Sequence, residues 1–147
     1  MKMLESAYIV GLVDGEGSFT VYVRDPQAVT FRKRRVIADP KFYVKLVARD
    51  KHILDELKRH FGCGNVYVQR ERRPNHQQCY RYEVANRKDL REVIIPFFRK
   101  HELKFPSKRR DFSIFCRLVE MLNRGLHRTP KGLRKVYALK QKMHRFD

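Results

Sequence analysis

The sequence predicts an α+β fold: a four-stranded antiparallel sheet with helices packed on one face, an αββαββα core followed by C-terminal helices. Three observations predict it. Segments of alternating apolar and polar residues occur in two pairs, the mark of strands with one buried face. Each pair is followed by apolar residues at helical spacing, and one helix leads them all. No linker, low-complexity tract or compositional shift divides the 147 residues, enough for a single domain, 1–147, with a proper core. Strand–strand–helix repeated twice is satisfied by one antiparallel sheet covered on one side.

The leading helix is predicted over Lys2 to Asp14, ended by Gly15 and Gly17. Ser18 to Arg24 alternates, with Phe19, Val21 and Val23 on one face and Thr20, Tyr22 and Arg24 on the other. Asp25-Pro26 opens a loop whose far end is Arg32-Lys33-Arg34-Arg35. A second strand runs within Val36 to Arg49, setting Phe42, Val44 and Leu46 against Lys41, Tyr43 and Lys45. Asp50 is placed to cap a helix over Lys51 to Phe61, with Ile53, Leu54, Leu57 and Phe61 inward and Gly62-Cys63-Gly64 as its stop. Asn65 to Arg72 is the third strand, Val66 and Val68 inward, and Arg73-Pro74-Asn75-His76 is a turn. Gln77 to Ala85 is the fourth, with Tyr80, Tyr82 and Val84 on one face. A helix follows over Lys88 to His101 in spite of Pro96, and another from Ser107 to Asn123 with Phe112, Phe115, Leu118, Val119 and Leu122 inward, ended by Gly125. Thr129-Pro130 opens a last, basic helix that is expected to run to Asp147.

Composition narrows the partners. Lys and Arg total 34 against 16 Asp and Glu, a formal net charge of +18. Such an excess on a small domain fits a polyanion, either nucleic acid or an anionic membrane surface. No apolar run approaches the roughly 20 residues that span a bilayer, and Met1 to Ser6 do not resemble a secretion signal, so a membrane is not the expected partner. Cys63, Cys79 and Cys116 are odd in number and form no CxxC pair. They read as reduced, buried thiols of an intracellular protein, with neither a disulfide framework nor a zinc site, and nothing selects a compartment.

The segment Ala7 to Phe19 is the most unusual in the chain. Ala7, Gly11 and Gly15 recur every four residues and share one helix face, a smooth stripe that admits a second backbone at short range. Asp14 and Glu16 stand at the helix C-terminus, whose partial negative charge disfavours carboxylates by about 0.3–1 kcal/mol each. A compensating cation is expected, a divalent metal above all. The outward sheet face is equally unusual. It carries Thr20, Tyr22, Arg24, Lys41, Tyr43, Lys45, Tyr67, Gln69, Arg81 and Glu83, side-chain types that pair with guanine and adenine edges or with phosphates. A sheet built of two-stranded ribbons can enter the major groove. The basic clusters Arg32 to Arg35, Arg70 to Arg73 and Lys108 to Arg110 suit phosphates, which give affinity without sequence choice.

Ile9-Val10-Gly11-Leu12-Val13-Asp14-Gly15-Glu16-Gly17 resembles the signature of the LAGLIDADG homing endonucleases. Gly11, Asp14 and Gly17 match it outright, and Glu16 stands where Asp is frequent. The element order, the Phe61-Gly62-Cys63-Gly64 turn and Lys108-Arg109-Arg110-Asp111-Phe112 are similar as well, so the resemblance covers nearly the whole chain. One copy of the motif is present, as in members that act as homodimers. The resemblance therefore implies a symmetric contact through Ala7, Gly11 and Gly15 that brings two copies of Glu16 together.

The resemblance also implies an activity. It is that of a dimeric, metal-dependent, site-specific nuclease that cuts double-stranded DNA at a long, near-palindromic target and leaves 3′ overhangs. Glu16 and the Gly15 carbonyl are the implied metal ligands, with Asp14 mainly structural. Ligands that are all oxygen favour Mg²⁺, with Mn²⁺ as a substitute. Lys108 is the implied basic residue beside the scissile phosphate, with Lys104 as the register alternative, and Arg49 or Lys51 fills a second basic position. Arg32, Arg34 and Arg72 join the outward face in the expected DNA contact. The alternatives are an intron maturase and a non-cleaving nucleic-acid-binding protein on the same fold.

Overall fold

A computed structural model describes residues 4–29, 37–70 and 77–145. Arg32, Arg34 and Arg72, expected at the nucleic-acid face, lie outside the described residues. The elements are α1 (Ser6–Glu16), β1 (Gly17–Val23), β2 (Ala38–Val47), α2 (Lys51–Phe61), β3 (Asn65–Gln69), β4 (Cys79–Val84), α3 (Arg87–Asp89), α4 (Ile95–Lys100), α5 (Pro106–Asn123) and α6 (Pro130–Lys140). The four strands form an antiparallel sheet in the order β1-β2-β4-β3. The chain divides into two compact units, Met1–Ser18 with Lys41–Phe105, and Phe19–Pro40 with Pro106–Asp147.

The first unit is built on one face of β2 and β4. Phe42, Val44, Tyr82 and Val84 are buried, and so are Leu54, Leu57 and Phe61 of α2. Phe42 lies 6.4 Å from Phe61 and 5.6 Å from Phe98 of α4, ring centre to ring centre. Each such side chain stabilises the fold by about 1.5–3 kcal/mol through burial. In the second unit Phe19 of β1 stacks on Phe112 of α5 at 5.0 Å and meets Phe115 at 5.3 Å. Leu133, Val136 and Leu139 of α6 complete that core.

The structure corrects several boundaries. The first helix begins at Ser6, after an extended Glu5, and continues through Gly15 to Glu16. Gly17 ends it with an extended backbone rather than a left-handed turn, in a space only glycine fits: a Cβ there would stand 2.6 Å from Val13 Cγ1 and 2.9 Å from Val13 backbone atoms. The chain therefore passes from helix to strand without a loop. Asp50 makes no side-chain cap: it ends a 3-10 turn over Ala48–Asp50 that feeds straight into α2, and its φ of −102° and ψ of 13° are not the extended backbone of a capping residue. Val68 is 49% exposed, not inward, since β3 is an edge strand and short. The helical run at Pro96 survives through a π turn at Leu90–Ile94, where the Ile95 N–H bonds the Leu90 carbonyl. That wider turn precedes the residue whose ring would collide with the carbonyl four back and which has no N–H to donate. α6 ends at Lys140, well before Asp147. Turns follow it, and at His144 the backbone takes a φ of 59° while its N–H donates to Asp111 Oδ1 at 2.9 Å. The cysteines are free, as expected, but half-buried.

The turn after α2 positions β3. Tyr82, fully buried, donates its hydroxyl to the Cys63 carbonyl at 2.9 Å. Burial, with the neighbouring Cys63 and Asp89, pushes the Tyr82 pKa far up, so it remains a donor. Gly62 and Gly64 both have positive φ, 70° and 83°. A Cβ on Gly62 would meet open space, whereas one on Gly64 would stand 2.7 Å from the Glu83 carbonyl oxygen and 2.8 Å from the Tyr82 ring. Gly62→Ala should cost about 1–2 kcal/mol for the left-handed conformation alone. Gly64→Ala should cost clearly more, about 3 kcal/mol or above, because strain adds to a clash with strand backbone. Urea denaturation of the two variants checks this, and equal losses would contradict the close approach.

Candidate active site and nucleic-acid interface

The end of α1 separates its two carboxylates. Ile9, Val10, Val13 and Asp14 face inward. Ala7, Gly11, Gly15 and Glu16 face solvent, and a methyl group added at Gly11 or Gly15 would meet no atom within 4 Å. The stripe therefore lies open. It borders a groove of about 400 Å³ lined by Ala7, Val10, Gly11, Asp14, His101 and Lys104.

Asp14 is 4% exposed, and backbone satisfies it. The Lys104 N–H donates to Oδ1 at 3.1 Å and Oδ2 at 2.9 Å, and the Phe105 N–H donates to Oδ1 at 3.1 Å. The sequence led to a cation as the compensator of the helix-end charge. For Asp14 the compensator is instead the pair of amides. Charge-assisted bonds of this kind are about twice as strong as neutral ones, and the alternative is an unpaired buried carboxylate. Glu16, two residues on, is exposed at the same helix end.

Among the described residues no three His, Cys, Asp or Glu side chains converge. What the chain offers is the Glu16 carboxylate and the carbonyls of the last helical turn, of which Gly15 is one. That donor set is all oxygen and incomplete. It suits an ion such as Mg²⁺, which keeps several waters and takes one or two carboxylates plus phosphate oxygens.

The basic candidates stand in different places. Lys104 is exposed, its backbone held by Asp14. Lys108 is half-buried near the start of α5. Lys51 is paired with Asp55 at 3.0 Å and lies 5.4 Å over the Tyr80 ring, whereas Arg49 is exposed in the 3-10 turn before it. Of the Lys108 to Arg110 cluster, Arg110 donates to the Arg145 carbonyl at 3.0 Å and so braces the chain after α6.

The outward face of the sheet is as the alternation predicts. In the second unit Tyr22 is 52% exposed, with Thr20 and Arg24 half-buried on the same side of β1. In the first unit, β2 and β4 pair Tyr43 with Glu83 and Lys45 with Arg81, and β3 sets Tyr67 beside Arg81 and Gln69 beside Cys79. The Arg81 guanidinium carbon lies 3.4 Å above the centre of the Tyr43 ring, and its Nε is 3.3 Å from Glu83 Oε1. Lys41 Nζ is 4.0 Å from the same oxygen. The Arg81 Nε–H is out of line for a hydrogen bond, so its contact with Glu83 is electrostatic. Gln69 Oε1 is buried with no hydrogen-bond partner among the described residues. Sequence reasoning placed these residues on one face but missed this cluster. The i,i+2 spacing of Arg81 and Glu83 was readable; the position of Tyr43 opposite Glu83 required the strand register.

The sequence model of the LAGLIDADG endonuclease matches residues 9–119. The chain belongs to the LAGLIDADG endonuclease family. It is 30% identical over 111 residues to a probable intron-encoded DNA endonuclease 1 of Mycosarcoma maydis, covering 76% of this chain and 35% of that protein. It is 27% identical over 127 residues to the homing endonuclease I-ApeII of Aeropyrum pernix, covering 86% of this chain and 70% of that protein. Among solved structures, I-TnaI superposes with a TM-score of 0.79 at 33% identity, covering 99% of this chain and 92% of its own. I-SmaMI bound to uncleaved DNA target in the presence of calcium ions gives 0.80 at 27%, covering 96% and 45%. The chain thus spans about a third of the Mycosarcoma protein and less than half of I-SmaMI. No helix among the described residues is long and apolar enough to cross a membrane.

Within this LAGLIDADG domain the two carboxylates should respond differently to amide substitution. Asp14→Asn keeps the shape but turns an NH₂ toward backbone N–H groups, and should lower stability by about 2–4 kcal/mol. Chemical denaturation reads this. A variant as stable as the parent would contradict the buried amide–carboxylate contact.

Proposed function

We propose that this chain is a homing endonuclease that cuts double-stranded DNA at a specific, near-palindromic site, acting as a homodimer with Mg²⁺ and leaving 3′ overhangs. One observation carries the reading. Of two carboxylates at one helix end, Asp14 is consumed by backbone amides and Glu16 is left exposed, at the foot of an open small-residue stripe. The half-length match to I-SmaMI and the near full-length match to I-TnaI support one chain as half of a nuclease unit. The neighbour solved on DNA with calcium supports duplex DNA and a divalent ion as partners.

A second copy packed along Ala7, Gly11 and Gly15 would set two α1 helices in close contact, an isologous interface. Two Glu16 carboxylates would then approach one another and repel unless a cation lies between them. When bound, Mg²⁺ supplies positive charge at the scissile phosphate and a water of lowered pKa. Lys108 and the exposed Arg49 are the groups of this chain that would neutralise charge on the phosphate. The outward face of the sheet would lie in the major groove of each half-site.

Cleavage of a target selected from a random duplex library tests the activity. Glu16→Gln should lower the Mg²⁺-dependent rate by about 10³ or more while DNA binding and the melting temperature hold. A variant that cuts at the parental rate would refute the metal role of Glu16. Gly11→Leu fills open space and should leave the fold intact, yet convert a dimer to a monomer in sedimentation at micromolar concentration. A parent chain that sediments as a monomer on its own and on DNA would refute the seam.

A further inference from the structure

We infer that Arg81 is the guanine-reading residue of each half-site, and that Tyr43 and Glu83 are positioning residues that hold its guanidinium in the reading pose. This rests on the DNA-binding function proposed above and names the base that one residue recognises.

The geometry leaves the guanidinium little freedom. One π face is covered by the Tyr43 ring at 3.4 Å, a cation–π stack. The Nε side faces the Glu83 carboxylate at 3.3 Å, an ion pair without an aligned hydrogen bond. The edge that remains is the one bearing the two terminal nitrogens. Their paired N–H groups form the fork that matches O6 and N7 of guanine in the major groove, the commonest specific contact of arginine with a base. The backbone beneath is equally constrained. Arg81 is on β4, paired with Lys45 on one side and Tyr67 on the other. A side chain fixed before binding loses less rotamer entropy when it binds.

Glu83 would otherwise be out of place. A carboxylate on a face that meets a polyanion repels phosphates. Glu83 is instead enclosed, with a side chain 16% exposed between Arg81 and Lys41, and its charge is spent on the two cations. Lysine is a poorer occupant of this position: its ammonium carries its donors on one nitrogen, without the planar fork that stacks on Tyr43.

Binding selection on a duplex library, run for the parent, Arg81→Lys, Glu83→Gln and Tyr43→Leu, tests the inference, with thermal melting as the folding control. The parent should select guanine at one position in each half-site by about tenfold or more. Arg81→Lys should weaken that preference several-fold and leave the other positions. Glu83→Gln and Tyr43→Leu should each weaken it several-fold at that same position. Preference unchanged in Arg81→Lys would overturn the assignment. So would Glu83→Gln acting at a cytosine elsewhere, which would make Glu83 a direct reader. If the parent selects no DNA sequence at all, the proposed function fails first, so the two failures are distinguishable.

Discussion

The structure depends on one buried contact: the Asp14 carboxylate bound by the backbone amides of Lys104 and Phe105. It closes a span of 90 residues in sequence, fixing the end of α1 against the segment that leads out of α4. A charge at a helix C-terminus and inside a protein is doubly unfavourable, and the three N–H bonds are what make it tenable. Asp14 is 4% exposed and both its oxygens accept backbone N–H groups, so its carboxylate is turned to the protein interior. The exposed carboxylate two residues later is thereby distinguished from it by environment, not by chemistry.

The same helix end shows how close approach shapes the rest. Gly17 admits the turn from helix into β1 with no loop, since any Cβ would strike Val13. β1 starts at Gly17, the residue after α1 stops. The outward face follows from the same economy. Alternation sends Phe42, Val44, Tyr82 and Val84 to the core and leaves the opposite side to Tyr43, Lys45, Arg81 and Glu83. Charge there is organised before any partner arrives, with Glu83 shared between Lys41 and Arg81.

Much of this was legible in the sequence. Period-two alternation located all four strands, and glycine and aromatic spacing located α2 and α5 almost residue for residue, because burial of one face dictates those patterns. The α1 motif pointed to the family, and the resemblance implied a structural Asp14. What was not legible needed partners distant in sequence. The amides that satisfy Asp14 belong to Lys104 and Phe105, and no local pattern announces a backbone donor. The stack of Arg81 on Tyr43 needed the β2–β4 register. The π turn at Leu90–Ile94 was hidden because an apolar pattern of helical period conceals one extra residue. Val68 was misplaced because alternation does not say which strand lies at an edge.

The central claim is that two carboxylates of one motif divide the labour, Asp14 holding the fold and Glu16 holding a divalent ion. Calorimetric titration of Ca²⁺ into the protein–DNA complex tests it most directly, with Asp14→Asn and Glu16→Gln compared at a temperature where both are folded. Binding heat should persist in Asp14→Asn and vanish in Glu16→Gln. Loss of cation binding in Asp14→Asn with retention in Glu16→Gln would contradict the account.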